Sequence, residues 1–195
     1  YEYAFADNHL KFGIAAELPE VSATYGDNFK PMHQRVPDVP MYFQYAWGAD
    51  RSSHIRASGV LRNPYMYKVS KDSNTSLLGW GVQFSGTIKV CKPLRLFMNG
   101  VYGEGITPYI QDLTGSGLDF TPNPEDPSLV RMMPMWGWQA AAQINLTRRL
   151  FISGGYSTVR VQRSHGYYTD DQYKQGQYIF GNVFYSLTPR CKVAG

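Results

Sequence analysis

The sequence predicts an all-β chain, an antiparallel up-and-down transmembrane β-barrel present as a partial set of about 8–10 strands. Three observations predict it. The first is the stretch 77–90, LLGWGVQFSGTIKV, in which Leu78, Trp80, Val82, Phe84, Gly86, Ile88 and Val90 alternate with Gly79, Gly81, Gln83, Ser85, Thr87 and Lys89. Successive strand side chains point to opposite faces, so this is one apolar face and one small, polar face. A strand in a soluble protein usually lasts about 5–6 residues. One that crosses a bilayer in a barrel needs roughly 9–11, with lipid on one side and water on the other.

The second observation is composition. The 195 residues include 15 Tyr, 10 Phe, 4 Trp and 19 Gly, as aromatic- and glycine-rich all-β chains do. A mean hydropathy of -0.35 does not argue against a barrel, because half of every barrel strand faces water. No window approaches 18 uninterrupted apolar residues, which excludes a transmembrane helix. The net charge of +4 comes from Lys and Arg spread singly along the chain, not from the clustered patch of a nucleic-acid binder.

The third observation emerges strand by strand. Residues 1–5 read as the tail of a strand turned by Asp7-Asn8. Residues 10–18 follow, with Leu10, Phe12, Ile14, Ala16 and Leu18 on one face and Lys11, Gly13, Ala15 and Glu17 on the other. Residues 19–40 carry Pro19, Pro31, Pro37 and Pro40 and suit no strand interior. Residues 41–48 alternate Met41, Phe43, Tyr45 and Trp47 against Tyr42, Gln44, Ala46 and Gly48. In 55–61, Arg56 and Ser58, continued by Arg62, oppose Ile55, Ala57 and Leu61. Tyr65 to Lys68 are read as an outward extension of a strand.

Beyond the guiding stretch, 94–105 returns with a less clean pattern, and 136–147 is regular again: Trp138, Ala140, Ala142, Ile144 and Leu146 against Gly137, Gln139, Ala141, Gln143 and Asn145. Residues 150–162 and 177–187 complete eight full strands, with parts of two more at the ends. Connections near 6–9, 49–53, 91–93, 147–149 and 188–190 are short; those at 19–40, 63–76, 106–134 and 163–176 are long. In a meander, alternate connections share an edge. All short turns therefore fall on one rim and all long loops on the other, as in bacterial outer-membrane barrels with periplasmic turns and external loops. The start YEYAF and the end PRCKVAG, each within a strand, read as an excised piece of a longer chain carrying a single barrel domain over 1–195.

From Gly79 onward, the motifs Tyr102-Gly103-Glu104-Gly105-Ile106, Tyr109-Ile110-Gln111-Asp112-Leu113 and Gly115-Ser116-Gly117-Leu118-Asp119 resemble the DcaP-like porins of Gram-negative outer membranes. So do Trp136-Gly137-Trp138-Gln139, the run 178–186 and Thr188-Pro189-Arg190. The resemblance covers about half of the chain, and the first 75 residues only by pattern. It implies a homotrimeric channel of the bacterial outer membrane that passes small polar, often anionic, solutes by diffusion. Its partners are the lipid bilayer and lipopolysaccharide, with no cofactor. A porin barrel of about 16–18 strands needs nearly twice the strands present here.

The pore-lining candidates are Arg56, Arg62, Gln83, Lys89, Arg95, Gln139 and Gln143. Basic groups facing a lumen raise the local anion concentration. Solvated charge near a strand end is the plain alternative, and Lys89 and Arg95, which flank a short turn, are placed at the rim. A structureless connection as long as 106–134 is uncommon; it is read as folded into the lumen, with Asp112, Asp119 and Arg131 as constriction candidates, and an external loop packed on its neighbours is the plain alternative. Trp47, Trp80, Tyr102, Trp136, Trp138 and Tyr156 are read as aromatic girdles, because an amphipathic ring is favoured at a membrane interface. His9, His33, His54 and His165 lack metal-ligand spacing, and no nucleophile constellation suggests an enzyme. Cys91 and Cys191 are expected as separate thiols. The reading is a general or weakly anion-preferring diffusion porin; the alternative is a small closed outer-membrane barrel with a structural or adhesive role.

Overall fold

The computed structural model describes residues 1–162, 166–167, 170–188 and 191–195; His165, Pro189 and Arg190 lie outside the described residues. Among the described residues fifteen strands follow one another: β1 Glu2–Phe5, β2 Leu10–Ile14, β3 Phe29–Pro31, β4 Val39–Trp47, β5 Ser53–Arg62, β6 Tyr65–Lys68, β7 Ser73–Ser76, β8 Gly79–Lys89, β9 Leu94–Glu104, β10 Phe120–Pro122, β11 Val130–Met132, β12 Pro134–Asn145, β13 Leu150–Val161, β14 Gln175–Thr188 and β15 Cys191–Ala194. Ten of them form one antiparallel meander in the order β1-β2-β4-β5-β8-β9-β12-β13-β14-β15. No ladder joins β1 to β15 among the described residues, so the sheet is open.

Strands β8, β9, β12 and β13 run for 11 to 12 residues, the length the period-2 pattern predicts. The turns are tight where the sequence supplies residues that accept left-handed backbone. Ala6, Asp7 and Asn8 between β1 and β2 all have φ near +50 to +63°. Cys91 and Cys191 sit at two of the short turns, both exposed and unpaired.

Cross-strand register fixes which residues share a face. Phe43 lies opposite Ala57, Ala57 opposite Phe84, and Phe84 opposite Gly100. On the other face Gln44 opposes Arg56, Arg56 opposes Ser85, Ser85 opposes Asn99 and Asn99 opposes Gln139. The first face is bare. Phe43 is 45% exposed, Val82 52%, Phe84 49%, Trp138 45% and Ile179 80%. Among the described residues neither a second sheet nor a helix covers them, so burial inside a soluble core does not account for this alternation.

Among the described residues the second face is covered at one end only, by the long connections. Two further small sheets form there: β3-β6-β7, drawn from the first two long connections, and the hairpin β10-β11 within the third. The sequence reading of 65–68 as a strand extension is corrected. These residues pair with β3 and β7, because Gln34 takes the Tyr65 N–H at 2.8 Å and Met66 is buried in a separate apolar cluster with Phe29, Phe120 and Met132. Pro40, read as outside any strand, opposes Val60 near the start of β4 and lends its carbonyl to Ala15 N–H at 3.0 Å.

Candidate functional site

The candidate site is the covered face and the segment folded over it. At Gly105 the chain leaves β9 with φ +67°, where a Cβ would meet Met132 Sδ at 2.5 Å, so the reversal requires glycine. The next residue, Ile106, is fully buried against the sheet. Room for it comes from missing side chains: a Cβ on Gly81 would meet Ile106 at 3.0 Å, and one on Gly103 would meet it at 2.9 Å. Ile106, Ile110, Leu113, Leu118 and Met133 then pack with Val60, Met135, Val159 and Val161 of the wall strands. Two single 3-10 turns, 107–109 and 111–113, carry the segment across the face.

A buried polar knot holds its root. Arg62, at the end of β5, is 1% exposed. Its Nε donates to Asp38 Oδ2 at 2.8 Å and its Nη1 to Asp119 Oδ1 at 3.0 Å. Nη1 also donates to the Gly105 carbonyl, and Nη2 donates to that of Glu20. Asp119 further accepts from the Thr107 N–H at 3.0 Å, the Thr107 hydroxyl at 2.8 Å and the Ser22 N–H at 3.0 Å. Burial pushes the Asp119 carboxyl above its ordinary range, against the pull of Arg62 and those donors. Tyr109 donates at 3.2 Å to Asp38 and to Glu17, and burial followed by these two carboxylates raises its hydroxyl well above the usual range. The second oxygen of Asp38 is buried without a partner among the described residues.

Below this root the covered face opens into two hollows. One, of about 470 Å³, is bordered by Glu2, Gly13, Tyr42, Ser58 and Gln83. The other, of about 690 Å³, is bordered by Asn99, Asp112, Gln139, Ser157 and Tyr178. Gln83, Val101 and Tyr109 border both, so the tip of the segment stands between them. Tyr42, at the edge of the first hollow, has the Arg56 guanidinium over its ring, 4.2 Å from the centre; Arg56 itself borders neither hollow and donates to Gln44 at 2.7 and 3.0 Å. Tyr42 in turn covers Gly13 and donates to Glu2, which also accepts from Lys11 at 3.0 Å. Gln83 donates to Asn99 at 2.9 Å.

The predicted residues separate accordingly. Arg56, Gln83, Gln139 and Gln143 share the covered face below the knot, with Gln143 opposite Arg95. Lys89 and Arg95 oppose each other across the short turn at the far end. Arg62, expected as a lining charge, is instead enclosed, because the first and third long connections close over the end of β5. Asp119, expected as a constriction charge, lies in the folded-over segment but spends its carboxylate on Arg62, Thr107 and Ser22 and meets no solvent. Arg131 opposes Thr121 in the β10-β11 hairpin and borders neither hollow, whereas Asp112 is exposed at the second. On the bare face near the long-loop rim Tyr102 opposes Trp136, and the Trp80 ring lies diagonally beside Tyr102 at 5.7 Å, with Trp138 against Tyr156 (5.3 Å) one step further in; Trp47 lies at the short-turn end. Tyr109, Glu17 and Asp38 were not anticipated. Period-2 reading assigns faces within strands and is silent about what a loop lays upon them.

No protein-family model matches the sequence, and no curated protein matches it. Among solved structures, the chain superposes on the crystal structure of the outer membrane channel DcaP of Acinetobacter baumannii with a TM-score of 0.79 at 16% identity. The match covers 100% of this chain and 53% of that one. The chain therefore has the fold of an outer-membrane channel over about half of that channel's length.

Proposed function

We propose that this chain is part of the wall of a passive diffusion channel in the bacterial outer membrane, and that its substrates are small hydrophilic solutes with a weak preference for anions. The observation that carries the reading is the contrast between the two faces. Long strands leave their apolar side chains uncovered, while the polar face beneath the long loops stays hollow around Ser58, Gln83 and Gln139. In a bilayer every backbone polar group must be paired internally, which a closed barrel achieves. Further strands would join β1 and β15 to complete it.

In this reading the bare face meets lipid and, at its long-loop end, lipopolysaccharide, with Trp80, Tyr102 and Trp136 at the interface. The segment 106–134 narrows the passage, and Asp112 and Tyr109 are the side chains it presents there. On the channel side Lys11, Arg56, Lys89 and Arg95 stand against Glu2, Glu17 and Asp112, a margin of one positive charge that supports a weak anion preference. A homotrimer follows from the resemblance of the sequence motifs alone. Reconstitution of the full-length protein in planar bilayers tests the reading. Discrete conductance steps with a reversal potential favouring anions are expected. A folded, inserted protein with no steps would overturn the channel and leave a structural barrel.

A further inference from the structure

We infer that Arg62 is the positioning residue of the constriction. It fixes the segment 105–119 against the wall and so sets the width of the passage, while its own charge is hidden from a passing ion. The inference rests on the channel reading above.

Segment 107–114 makes no ladder with the wall. Its backbone hydrogen bonds are local, from Tyr109 to Ile106, Ile110 to Thr107, Leu113 to Ile110 and Thr114 to Gln111. Apolar packing of Ile106 and Leu113 presses it onto the sheet but specifies no direction. Direction comes from the root. One planar guanidinium reaches four acceptors on two connections: Asp38 and Glu20 of the first, Gly105 and Asp119 of the third. Asp119 relays the hold to Thr107, where the first 3-10 turn begins. A lysine at this position would carry the same charge as a compact ammonium and could not match a fork spread over four acceptors.

The charge itself is met by two carboxylates at 2.8 and 3.0 Å within a fully enclosed site. A lining cation in an open lumen would instead stay hydrated; Arg56, farther along the same face, is only half-buried. Arg62 therefore acts on transport through the loop and not through its field.

Two variants of the full-length protein in planar bilayers test this: Arg62→Lys, which keeps the charge and loses the fork, and the triple variant Arg62→Met, Asp38→Asn, Asp119→Asn, which strands no buried charge. Retained heat-modifiable gel mobility reports that each still folds. Both are expected to raise single-channel conductance about twofold and increase open-state noise, as the narrowest cross-section is relieved, with the reversal potential unmoved. Wild-type conductance and noise in both would overturn the inference. So would a shifted reversal potential at unchanged conductance, which would make Arg62 a lining charge. Absence of steps in the unaltered protein would overturn the channel reading itself, a result distinct from either.

Discussion

Arg56 and Arg62 stand six residues apart on one strand and point to one face, yet they live in different surroundings. Arg56 is half-buried, with a tyrosine ring and a glutamine amide for company. Arg62 is sealed under two connections with two carboxylates. Alternation along β5 makes the pair equivalent; what differs is the chain laid over the end of the strand. The contrast teaches that a barrel-type face is divided along its length into a docked end and an open end, and that charge means packing at one and electrostatics at the other.

The sharpest way to break the contrast is to remove a partner at each end. Asp119→Ala leaves a buried guanidinium half-paired and is expected to cost about 3–5 kcal/mol. Arg56→Ala removes a cation whose partners are neutral and partly solvated, and should cost under about 1 kcal/mol. Urea titration of the folded protein in detergent micelles, followed by tryptophan fluorescence, measures both. Equal losses would show that the two ends are packed alike.

The opposite face gives the next largest effect. Phe84, 49% exposed at mid-strand, opposes Ala57 and Gly100 with nothing above it. If acyl chains cover it, Phe84→Lys costs about 2–4 kcal/mol in lipid vesicles. Refolding equilibria in vesicles of defined composition read this, and a neutral outcome would remove lipid from that face.

How far the sequence carries such distinctions is visible in particular residues. The run from Gly79 to Lys89 shows both faces of β8 without any structure, because a period of two is a property of the backbone. The same logic returns β4, β5, β12 and β13 to within a few residues, and the order of short and long connections gives the meander. It fails for β3, β6, β7, β10 and β11, whose three or four residues carry too little pattern and whose pairing is decided by contacts between distant loops. It fails for Arg62 for the same reason. A signal was nonetheless present: Gly79, Gly81 and Gly103 crowd one end of the polar face, next to a long connection. Missing side chains there make the room that Ile106 and Met132 occupy.

That signal supplies its own comparison within β9. A Cβ on Gly103 would lie 2.3 Å from the Trp80 carbonyl and 2.7 Å from the Gly81 Cα, whereas one on Gly100, facing the bare side, meets nothing within 4 Å. Gly103→Ala is expected to destabilise by about 1–3 kcal/mol through overpacking, and Gly100→Ala to stay within roughly 0.5 kcal/mol. The urea titration separates them. An equal response would mean that the segment does not seat where the glycines leave space.

The smallest effect is the one that bears most directly on selectivity. A unit charge about 10 Å from an ion path in water contributes roughly 0.4 kcal/mol, or about twofold in local ion concentration, before screening. Arg56→Glu changes two such units, which act oppositely on anions and cations. Screening at about 0.1 M salt brings the expected fall in the anion-to-cation permeability ratio to about twofold to fourfold, less at higher salt as the Debye length shortens. Conductance should change little, because Gln44 and Tyr42 remain and the segment above is held by a different arginine. Reversal potentials at two salt concentrations measure it. Insensitivity at Arg56 together with a response at Arg62 would invert the division between the open and the docked end, since charge would then be felt where the fold encloses it.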